Sequence, residues 1–510
     1  MNAPPAPRQP QRPLLWPDFI DELQAAAEGT PAYIVGGAVR DAFFQRPVHD
    51  IDLTTPHDAI GLARRLANRL RGDFFIMDRE RDVARVLLDQ PPQPFAAPDA
   101  QAQRLVIDVA RFRGDDLLAD LTDRDFTINA LAVDLHSDLT HIIDPLNGER
   151  DLIERVLRAC TPQAIHDDPI RALRAVRQSV QFKARIEAAT RDAIRDAGPQ
   201  LARISPERVR DEFFNLLSGP SPVAALRVAD SLGLLAPIVP ELAALRDLPQ
   251  PRPHTLDAWR HTLLTVEKLH SLLHVISPAR TDTSAATFDM GMVVMTIDRF
   301  RKPLQQHIAQ QWPNERPHHA LLLLGALLQA SGKPSVAQTI DGQPQYPGHE
   351  AASAQLAEER AIALRLSNGE KQRLALMIAN HSLLQADSQW TDLDLHRFWR
   401  RLGVAGVDAC LLALAVHLGT VGIEINQDTW IALLERAVSL LDAWYNRYDT
   451  VVAPPPLVDG RVLKTELDLK SGPLIGELLD FIRESQVVGR IATTEEALAA
   501  ARQLLEGRAG

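Results

Sequence analysis

Two aspartates, Asp50 and Asp52, flank a single isoleucine in the segment HDIDLTT. Side chains of a β-strand alternate between its two faces, so in a strand both carboxylates point the same way. Carboxylate oxygens are the ligands that hard cations such as Mg²⁺ prefer. The spacing therefore predicts a metal site suited to phosphoryl chemistry.

The residues before this pair indicate how it is positioned. Residues 32–54 are predicted to form a short strand, a turn at Gly36 and Gly37, a helix opening at Ala38 and a second strand with the aspartates. Glycine lets the backbone approach a phosphate closely, and a helix start offers unpaired N–H groups to the same anion. Arg40, on the first turn of this helix, is predicted to clamp a triphosphate.

A further strand is predicted at residues 104–110, after a loop at residues 91–103 that is rich in Pro, Ala and Gln. Asp108 is the one acidic residue of this strand. Its carboxylate is either a third acidic group at the metal site or part of a solvated strand end. Arg111 and Arg113 follow it, either as triphosphate partners or as surface charges.

The segment RDFTINALAV is predicted to be helical, with Asp125 and Asn129 four residues apart. Side chains four apart on a helix share a face, so this pair could meet the sugar of an incoming nucleotide. Arg124 would then reach the phosphates of that nucleotide. An amphipathic helix that only buries its apolar side chains would give the same pattern.

The segment IHDDPIRALRAVRQSV is predicted to contain a second helix, with Pro169 in its first turn and Asp167 and Asp168 at its N-terminal end, and it carries regularly spaced charges. Asp168 and Arg171 form an i, i+3 pair, and Arg174 and Arg177 continue the repeat. A solvated helix with a salt bridge has this pattern. The pair also suits base recognition, because a carboxylate accepts from an exocyclic amino group while a guanidinium donates to the neighbouring ring nitrogen. Cytosine and adenine both present those two groups.

The motif GGAVRD followed by HDIDLTT resembles the head domain of the class II tRNA nucleotidyltransferase and bacterial poly(A) polymerase family. The resemblance runs from about residue 32 to residue 242. It implies that Asp50 and Asp52, with Asp108 as a possible third carboxylate, form a catalytic site for two Mg²⁺. ATP and CTP are the implied substrates, and the implied acceptor is an RNA, expected to be the 3′ end of a tRNA.

Two further motifs carry the resemblance. RDFTINALAV resembles the family's Arg-Arg-Asp-Phe-Thr-Ile-Asn-Ala segment, although Asp123 stands where the family has its first arginine. The helix after it resembles the family's Glu-Asp-x-x-Arg motif, which reads the incoming base, although Asp167 replaces the glutamate. The implied nucleotide-binding residues are Gly36, Gly37, Arg40, Arg124, Asp125, Asn129, Asp168, Arg171, Arg174 and Arg177.

Composition limits the other classes of function. A chain of 510 residues is too long for one core, and a formal net charge of -11 is unlike that of a general nucleic-acid binder. Residues 171–210 are a local exception, with ten Lys or Arg against four Asp or Glu, and are predicted to contact RNA. Cys160 and Cys410 imply no disulfide partner, and no apolar run is long enough to span a membrane, so a cytoplasmic protein is expected.

Beyond residue 250, three histidines lie in segments that resemble an HD-type metal phosphohydrolase domain: His261, His349 and His381. The resemblance is degenerate. Gln329 and Ala330 replace the adjacent His-Asp pair of that family, and Val416 replaces its last aspartate ligand. Scattered imidazoles without carboxylates are a poor site for an oxygen-preferring metal pair. We therefore expect a helical scaffold that keeps the fold without the hydrolase.

The predicted fold class is an α+β head, with a small mixed sheet and helices, followed by an all-α neck, body and tail. The predicted domains are a Pro-rich N-terminal tail at 1–19, the catalytic head at 20–148, a base-reading and RNA-binding neck at 149–245, a degenerate HD-like domain at 246–450, and a linker with a helical tail domain at 451–510.

The predicted activity is template-independent addition of CMP and AMP, from CTP and ATP, to the 3′ end of tRNA. A poly(A) polymerase, or an enzyme that adds A alone, would carry the same motifs. A phosphohydrolase acting through the helical domain is disfavoured by the missing His-Asp pair. A non-catalytic RNA-binding protein is disfavoured because the metal carboxylates and the base-reading pair survive.

Overall fold

The computed structural model describes residues 6–17, 19–48, 50–88, 105–278, 280, 287–385, 390–421 and 426–509. His49 and the loop predicted at residues 91–103 lie outside the described residues. The chain divides into two compact units, residues 1–204 with 228–234, and residues 205–227 with 235–510.

The first unit alternates helices with strands, as predicted for the head. Its helices are α1 (Ile20–Ala26), α2 (Gly37–Phe43), α3 (Ala59–Leu70), α4 (Leu117–Thr122), α5 (Gly148–Glu154), α6 (Ala164–Asp167), α7 (Ile170–Gln181) and α8 (Ala188–Ala197). Its strands are β1 (Tyr33–Val35), β2 (Asp50–Thr55), β3 (Asp73–Asp78), β4 (Val83–Leu88), β5 (Leu105–Arg111), β6 (Ala132–Asp134), β7 (Val156–Leu157) and β8 (Arg185–Ile186).

Six of these strands form one mixed sheet in the order β3-β4-β5-β2-β1-β6. Strands β2 and β5 run parallel, and the other neighbouring pairs are antiparallel. The small mixed sheet predicted for the head is thus confirmed. The parallel pair places the two strands that carry acidic residues side by side at the centre of the sheet.

The two faces of strand β2 differ sharply in burial. Ile51 and Leu53 are almost fully buried, as are Ile107 and Val109 on β5. The helix α3 packs against β4 and β5, and α2 packs against β2. Because strand side chains alternate, this apolar core leaves the aspartates of β2 and β5 on the other face.

Two predictions about the first unit are corrected. The segment at residues 124–133 is not a helix: it forms a 3-10 turn at Thr127–Asn129 and then strand β6. Backbone pairing of Ala132 and Val133 with Val35 and Ile34 of β1 holds this part of the segment extended. Part of the predicted N-terminal tail also pairs with the head, since Arg8 exchanges backbone hydrogen bonds of 2.9 and 2.8 Å with Ile142.

The remaining long elements are almost all helical, as predicted for the neck, body and tail. They are α9 (Pro206–Leu217), α10 (Pro222–Ser231), α11 (Leu235–Ile238), α12 (Ala258–Ile276), α13 (Phe288–Ile297), α14 (Arg301–Ile308), α15 (His318–Leu328), α16 (His349–Ala363), α17 (Asn368–Asn380), α18 (Asp392–Leu402), α19 (Ala405–Val421), α20 (Gln427–Asn446), α21 (Gly460–Leu467), α22 (Pro473–Val487) and α23 (Thr494–Ala509). Two short hairpins interrupt them, β9 (Gln311–Trp312) with β10 (Arg316–Pro317), and β11 (Gln338–Ile340) with β12 (Gln343–Gln345).

The predicted linker at residues 451–456 is only partly irregular. Val451 and Val452 belong to a π-helical turn and are buried, and the Val451 carbonyl is 2.8 Å from Nδ1 of His396. Residues 453–456 then lead to α21 without regular structure. After them, α21, α22 and α23 enclose a small apolar core of their own.

Across the described ranges, no individual helix combines the length and apolar character needed to cross a membrane. One bent pair, Asp392–Leu402 with Ala405–Thr420, meets that test of length and composition jointly.

Candidate active site

The two aspartates of the predicted metal site share one face of β2. Asp52 is paired in register with Asp108 of the parallel strand β5, and Asp50 lies two residues before it. Asp50 is exposed, whereas Asp52 and Asp108 are partly buried. The sheet therefore gathers the three predicted carboxylates, which come from strands more than fifty positions apart in sequence.

Asp52 lies in an unfavourable environment for a negative charge. Burial raises the pKa of its carboxyl group, and the nearby carboxylates of Asp108 and Asp50 raise it further, while Arg124 opposes the shift. A divalent cation beside these oxygens would stabilise the ionised form. The donor set is all carboxylate oxygen, which fits Mg²⁺ and is unlike a zinc or copper site.

Asp108 has a partner that the sequence analysis did not identify. Arg85 on β4 lies opposite it in the sheet and binds it with two hydrogen bonds, Nε to Oδ1 at 2.8 Å and Nη2 to Oδ2 at 2.9 Å. A bidentate guanidinium occupies the oxygens that a metal would use. Asp50 and Asp52 are therefore better placed than Asp108 to hold a cation.

The turn before α2 is closely fitted to the site. Gly36 has a φ of 72°, and a Cβ atom added there would lie 3.0 Å from Oδ2 of Asp52 and 3.1 Å from Nη1 of Arg124. A side chain would thus have to displace one of these two groups. Strand β1 and the turn form where predicted, and the helix begins one residue earlier than predicted, at Gly37.

The guanidinium of Arg40 is held by contacts with three neighbouring side chains. It donates to Asn129 Oδ1 at 2.6 Å and makes two bonds with Asp41, at 3.1 and 2.9 Å. Its guanidinium carbon also lies 4.4 Å from the centre of the Phe182 ring. Arg40, which is predicted to clamp the triphosphate, is therefore partly buried and hydrogen-bonded to Asn129, another predicted site residue.

Arg124 is held by an acid that the sequence analysis missed. Asp120, which is almost fully buried, accepts a hydrogen bond of 2.9 Å from Nη2 of Arg124 and one of 3.1 Å from the backbone N–H of Arg113. The Nε atom of Arg124 is buried and has no hydrogen-bond partner among the residues that the structure describes. Asp120 thus fixes Arg124 beside Asp52.

Asp125 and Asn129 meet although they are not on a helix. Asn129 donates from Nδ2 to Asp125 Oδ1 at 2.9 Å and to Gln178 Oε1 at 3.0 Å. Arg174 of α7 approaches Asp125 Oδ2 at 2.9 Å. Burial alone would raise the pKa of Asp125, but Arg174 and the hydrogen bonds from Asn129 and the Phe126 backbone N–H hold it below its usual value.

The helix α7 connects its arginines to this network. Arg171 donates to the backbone carbonyls of Asp123, Arg124 and Ala164, at 2.7, 3.3 and 3.2 Å. Arg171, Arg174 and Arg177 all lie on its partly exposed stripe. Asp168 caps the end of α6, and the backbone N–H of Arg171 bonds to its carbonyl at 3.0 Å.

The second compact unit, residues 205–227 with 235–510, is called the helical unit below. Its predicted HD-type histidines lie closer together than expected. His261, His349 and His381 line one cavity of about 700 Å³, together with Gln329 and Val416. Their ligand atoms do not form a metal-spaced group among the described residues. The HD-type resemblance of this region stays a prediction.

A different group in this unit does have metal-like spacing. His307, His318 and Asp408 are buried with ligand atoms within 4.8 Å of one another. Their bonds are already made, however. The two Nε2 atoms lie 2.6 and 3.0 Å from Asp408 Oδ1, and Nε of Arg373 lies 2.5 Å from Oδ2. Trp312 donates to His318 Nδ1 at 3.1 Å, which assigns the proton of this ring to Nε2. This is an internal ion-pair cluster.

Comparison with protein families covers most of the chain. Residues 32–158 match the Poly A polymerase head domain, and residues 185–245 match the probable RNA and SrmB-binding site of polymerase A. Residues 352–501 match a putative domain 2 of tRNA nucleotidyltransferase.

Among curated proteins, the A-adding tRNA nucleotidyltransferase of Deinococcus radiodurans is 30% identical over 480 residues, which is 92% of this chain and 94% of that protein. This chain belongs to the tRNA nucleotidyltransferase family. The CC-adding tRNA nucleotidyltransferase of Synechocystis is 28% identical over 93% of both chains. That of Geobacter sulfurreducens is 42% identical over 41% of this chain and 45% of its own.

Solved structures of this nucleotidyltransferase family share the fold. A CCA-adding enzyme in complex with CTP has a TM-score of 0.59 at 19% identity, covering 96% of both chains. The Thermotoga maritima CCA-adding enzyme complexed with tRNA has a TM-score of 0.54 at 19% identity, again with 96% of both chains covered. The predicted architecture of an α+β head and a long helical remainder is confirmed.

Proposed function

We propose that this nucleotidyltransferase transfers CMP or AMP from CTP or ATP to the 3′ end of a tRNA, with pyrophosphate as the leaving group. One observation carries the proposal. Asp50 and Asp52 share an accessible face of β2, and the turn at Gly36 and the guanidinium of Arg124 lie against Asp52. An exposed and a partly buried carboxylate on one strand face, beside a glycine turn and an arginine held by Asp120, suit transfer of a nucleoside phosphate.

Asp50 and Asp52 would hold Mg²⁺. When bound, this ion would lower the pKa of the attacking hydroxyl and neutralise charge on the triphosphate. The raised pKa of Asp52 supports the assignment, since burial and the carboxylates of Asp108 and Asp50 disfavour its negative charge despite Arg124. Asp108 stays a weaker candidate because Arg85 already binds both of its oxygens.

The chain's own residues would supply positioning. Arg40 and Arg124 are assigned to the triphosphate, and the paired Asp125 and Asn129 to the sugar. Asp168 and Arg171 are assigned to the base edge, as the family motif implies. Hydrogen bonds between these groups support the assignment. Arg40 donates to Asn129, and Arg171 donates to the backbone beside Arg124.

The acceptor RNA would contact the basic stretch at residues 171–210. Its ten Lys or Arg against four Asp or Glu contrast with the acidic whole chain. Such a local surface attracts phosphates without making the whole protein a general nucleic-acid binder. The cytoplasmic location predicted from the sequence belongs to the same proposal.

A narrower activity is the second candidate. Relatives that match nearly the full chain include an A-adding and two CC-adding tRNA nucleotidyltransferases. This chain would then add either A alone or two C residues. Because these relatives are tRNA nucleotidyltransferases, a poly(A) polymerase is the weaker alternative.

Incubation with labelled CTP or ATP tests both candidates. The acceptors are a tRNA lacking its CCA end, the same tRNA ending in CC, and an unstructured RNA of equal length. We expect incorporation into tRNA and little into the unstructured RNA. The number of residues added to each tRNA separates complete CCA addition from the addition of CC or of A.

Matched variants show whether the assigned site is responsible. Asp52→Asn should eliminate incorporation, while Asp21→Asn, an exposed acid on α1, should leave it unchanged. Long A tails on the unstructured RNA would contradict the proposal and favour a poly(A) polymerase. Full activity of Asp52→Asn would contradict the site.

A further inference from the structure

The sheet face that carries Asp50 and Asp52 continues beyond the residues assigned so far. Asp52 pairs in register with Asp108 of β5. Asp108 pairs with Arg85 of β4, which in turn pairs with Phe75 of the edge strand β3. Side chains at directly paired positions lie on the same face of a sheet. Phe75 therefore shares the face of the two aspartates, three strands away, or about 14 Å at the usual spacing between strands.

The ring of Phe75 is accessible on this face. Phe75 is 48% exposed, and Met77, two positions later on the edge strand, is 56% exposed. Between Phe75 and the aspartates, Leu87 of β4 and Val106 of β5 are half-buried. The fully buried side chains of β4 and β5 lie on the opposite face, which α3 covers. This half of the face is thus an apolar surface with an accessible aromatic ring at its edge.

The cation opposite Phe75 in the sheet is already paired with an acid. Arg85 binds both carboxylate oxygens of Asp108, at 2.8 and 2.9 Å. An RNA backbone is bound chiefly by cations that neutralise its phosphates, so a paired guanidinium attracts it weakly. An accessible ring on an apolar surface is suited instead to stacking with an unpaired nucleobase.

The residues assigned to the incoming nucleotide lie on the other side of β2. Gly36 directly follows β1, which pairs with β2, and Asn129 lies just before β6, which pairs with β1. In phosphoryl transfer the attacking oxygen approaches opposite the leaving group. With the triphosphate on the β1 side of Asp52, the acceptor strand reaches Asp52 from the β5 side, across the surface that ends at Phe75.

We propose that Phe75 binds the acceptor RNA by stacking with an unpaired base a few nucleotides before the attacking 3′ hydroxyl. The contact rests on the nucleotidyl transfer proposed above and adds a binding residue to it. Every base presents a π-face, so the ring holds the strand without reading its sequence. The base is held equally before and during the reaction. Loss of the ring therefore raises the KM for the acceptor and leaves kcat unchanged.

Steady-state kinetics of the full chain tests this contact, with the tRNA that the wild type extends and a labelled triphosphate. Phe75→Ala should raise the KM for tRNA about tenfold and leave the KM for the triphosphate unchanged. Phe75→Trp keeps an aromatic ring and should behave like the wild type. Phe75→Leu keeps only an apolar side chain and should resemble Phe75→Ala. Phe288→Ala is the matched control, because Phe288 on α13 is 55% exposed and far along the chain from the site.

Acceptors that lack one base give a readout that a merely structural role of Phe75 would not change. A single abasic site is placed in turn at each of the last few nucleotides before the 3′ end. At one position, the missing base should raise the KM of the wild type about as much as Phe75→Ala does. The same abasic acceptor should cost Phe75→Ala nothing further, because the two partners of one contact are not additive.

The possible failures are distinguishable. Equal KM values for tRNA in Phe75→Ala and Phe288→Ala, or additive losses at every abasic position, would overturn the stacking contact and leave nucleotide transfer intact. A changed oligomeric state of Phe75→Ala in light scattering, with an unchanged KM, would also overturn it and assign the ring to a contact between copies of the chain. A wild type that extends no tRNA would overturn the proposed function and this contact together.

Discussion

The head and the helical unit both concentrate ionisable side chains, but they balance charge differently. In the head, Asp50 is exposed, and burial together with the neighbouring carboxylates raises the pKa of Asp52 despite Arg124. In the helical unit, Asp408 is fully buried, contacts two histidines and lies beside the cation of Arg373. The contrast teaches that an acid is available for chemistry when its charge is left uncompensated, not simply when it lies near other ligand-type residues.

Removing a head carboxylate should have the largest effect. Asp52→Asn preserves the shape of the side chain but removes its charge, so we expect the rate of incorporation to fall at least about 1,000-fold, or roughly 4 kcal/mol of transition-state stabilisation. Lys333→Met should leave that rate unchanged, since Lys333 lines only the cavity that contains His261, His349 and His381 in the helical unit. Single-turnover kinetics with labelled ATP or CTP measures both variants, and a small effect at Asp52 would erase the contrast between the two regions.

Removing the buried acid should instead cost stability. Asp408→Asn leaves the buried Arg373 without its counter-charge and weakens the hydrogen bonds to His307 and His318, so we expect a loss of roughly 3–5 kcal/mol in the free energy of unfolding. Urea unfolding of the wild type and the variant gives the difference.

Asp392→Asn is the matched control for that measurement. Asp392 pairs with Arg447 at the surface, at 2.8 Å, where both side chains are more than a third exposed. Solvent screening limits such a pair to below about 1 kcal/mol. Similar losses for the two variants would show that the Asp408 cluster is not a buried ion pair of structural importance.

A smaller effect is expected at the base-reading helix. Arg171→Ala should reduce the preference for C or A over U and G by about tenfold to a hundredfold, because one or two buried hydrogen bonds are lost. Arg171→Lys keeps the charge but loses the planar fork, and should recover little of this selectivity. Incorporation of all four nucleotides by each variant measures the change, and an unaltered profile would leave Arg171 only a backbone-holding role.

A pH effect on stability is expected from the histidines of the cavity in the helical unit. The pKa of His254 and of His381 is lowered by burial to about 4, while an unfolded histidine titrates near 6.5. The unfolded chain therefore binds more protons between these values, and stability should fall as pH drops from 6.5 to 4. Each histidine contributes a slope of about 1.4 kcal/mol per pH unit.

Fluorescence-detected urea unfolding at several pH values measures that slope. Tryptophan emission reports chiefly on the helical unit, because Trp16 is the one tryptophan before residue 250. His381→Gln should show a shallower slope than the wild type. An identical slope would mean that the pKa of His381 is the same in the folded and the unfolded protein, which contradicts the prediction.

Local patterns predicted much of the head. The short strand, the glycine turn, the aspartate strand and the start of helix α7 all depend on a few neighbouring residues, and each forms near its expected bounds. The segment after Arg124 was misjudged because Asp125 and Asn129 have helical spacing, whereas Leu131 and Val133 alternate as in a strand. Tertiary hydrogen bonds decide between these two patterns.

Partners from distant segments could not be predicted in the same way. Arg85 meets Asp108 only because β4 pairs with β5, and strand order is not visible in the sequence around either residue. Gln178 likewise reaches Asn129 across 49 positions. The pairing of Asp120 with Arg124 had a weak local signal in the sequence. The two residues are four apart, with Asp120 on α4 and Arg124 just after the end of that helix.

The ion pair between Asp125 and Arg174 has a practical consequence for dissecting the protein. A fragment ending at residue 148, where the sequence suggests the head closes, would retain both carboxylates assigned to the metal yet lose Arg174 and Gln178. Asp125 would then lack its counter-charge. During synthesis, too, the proposed nucleotide site cannot be completed until residue 178 has left the ribosome. The smallest autonomous piece worth expressing should therefore extend to about residue 204, the first boundary between the compact units.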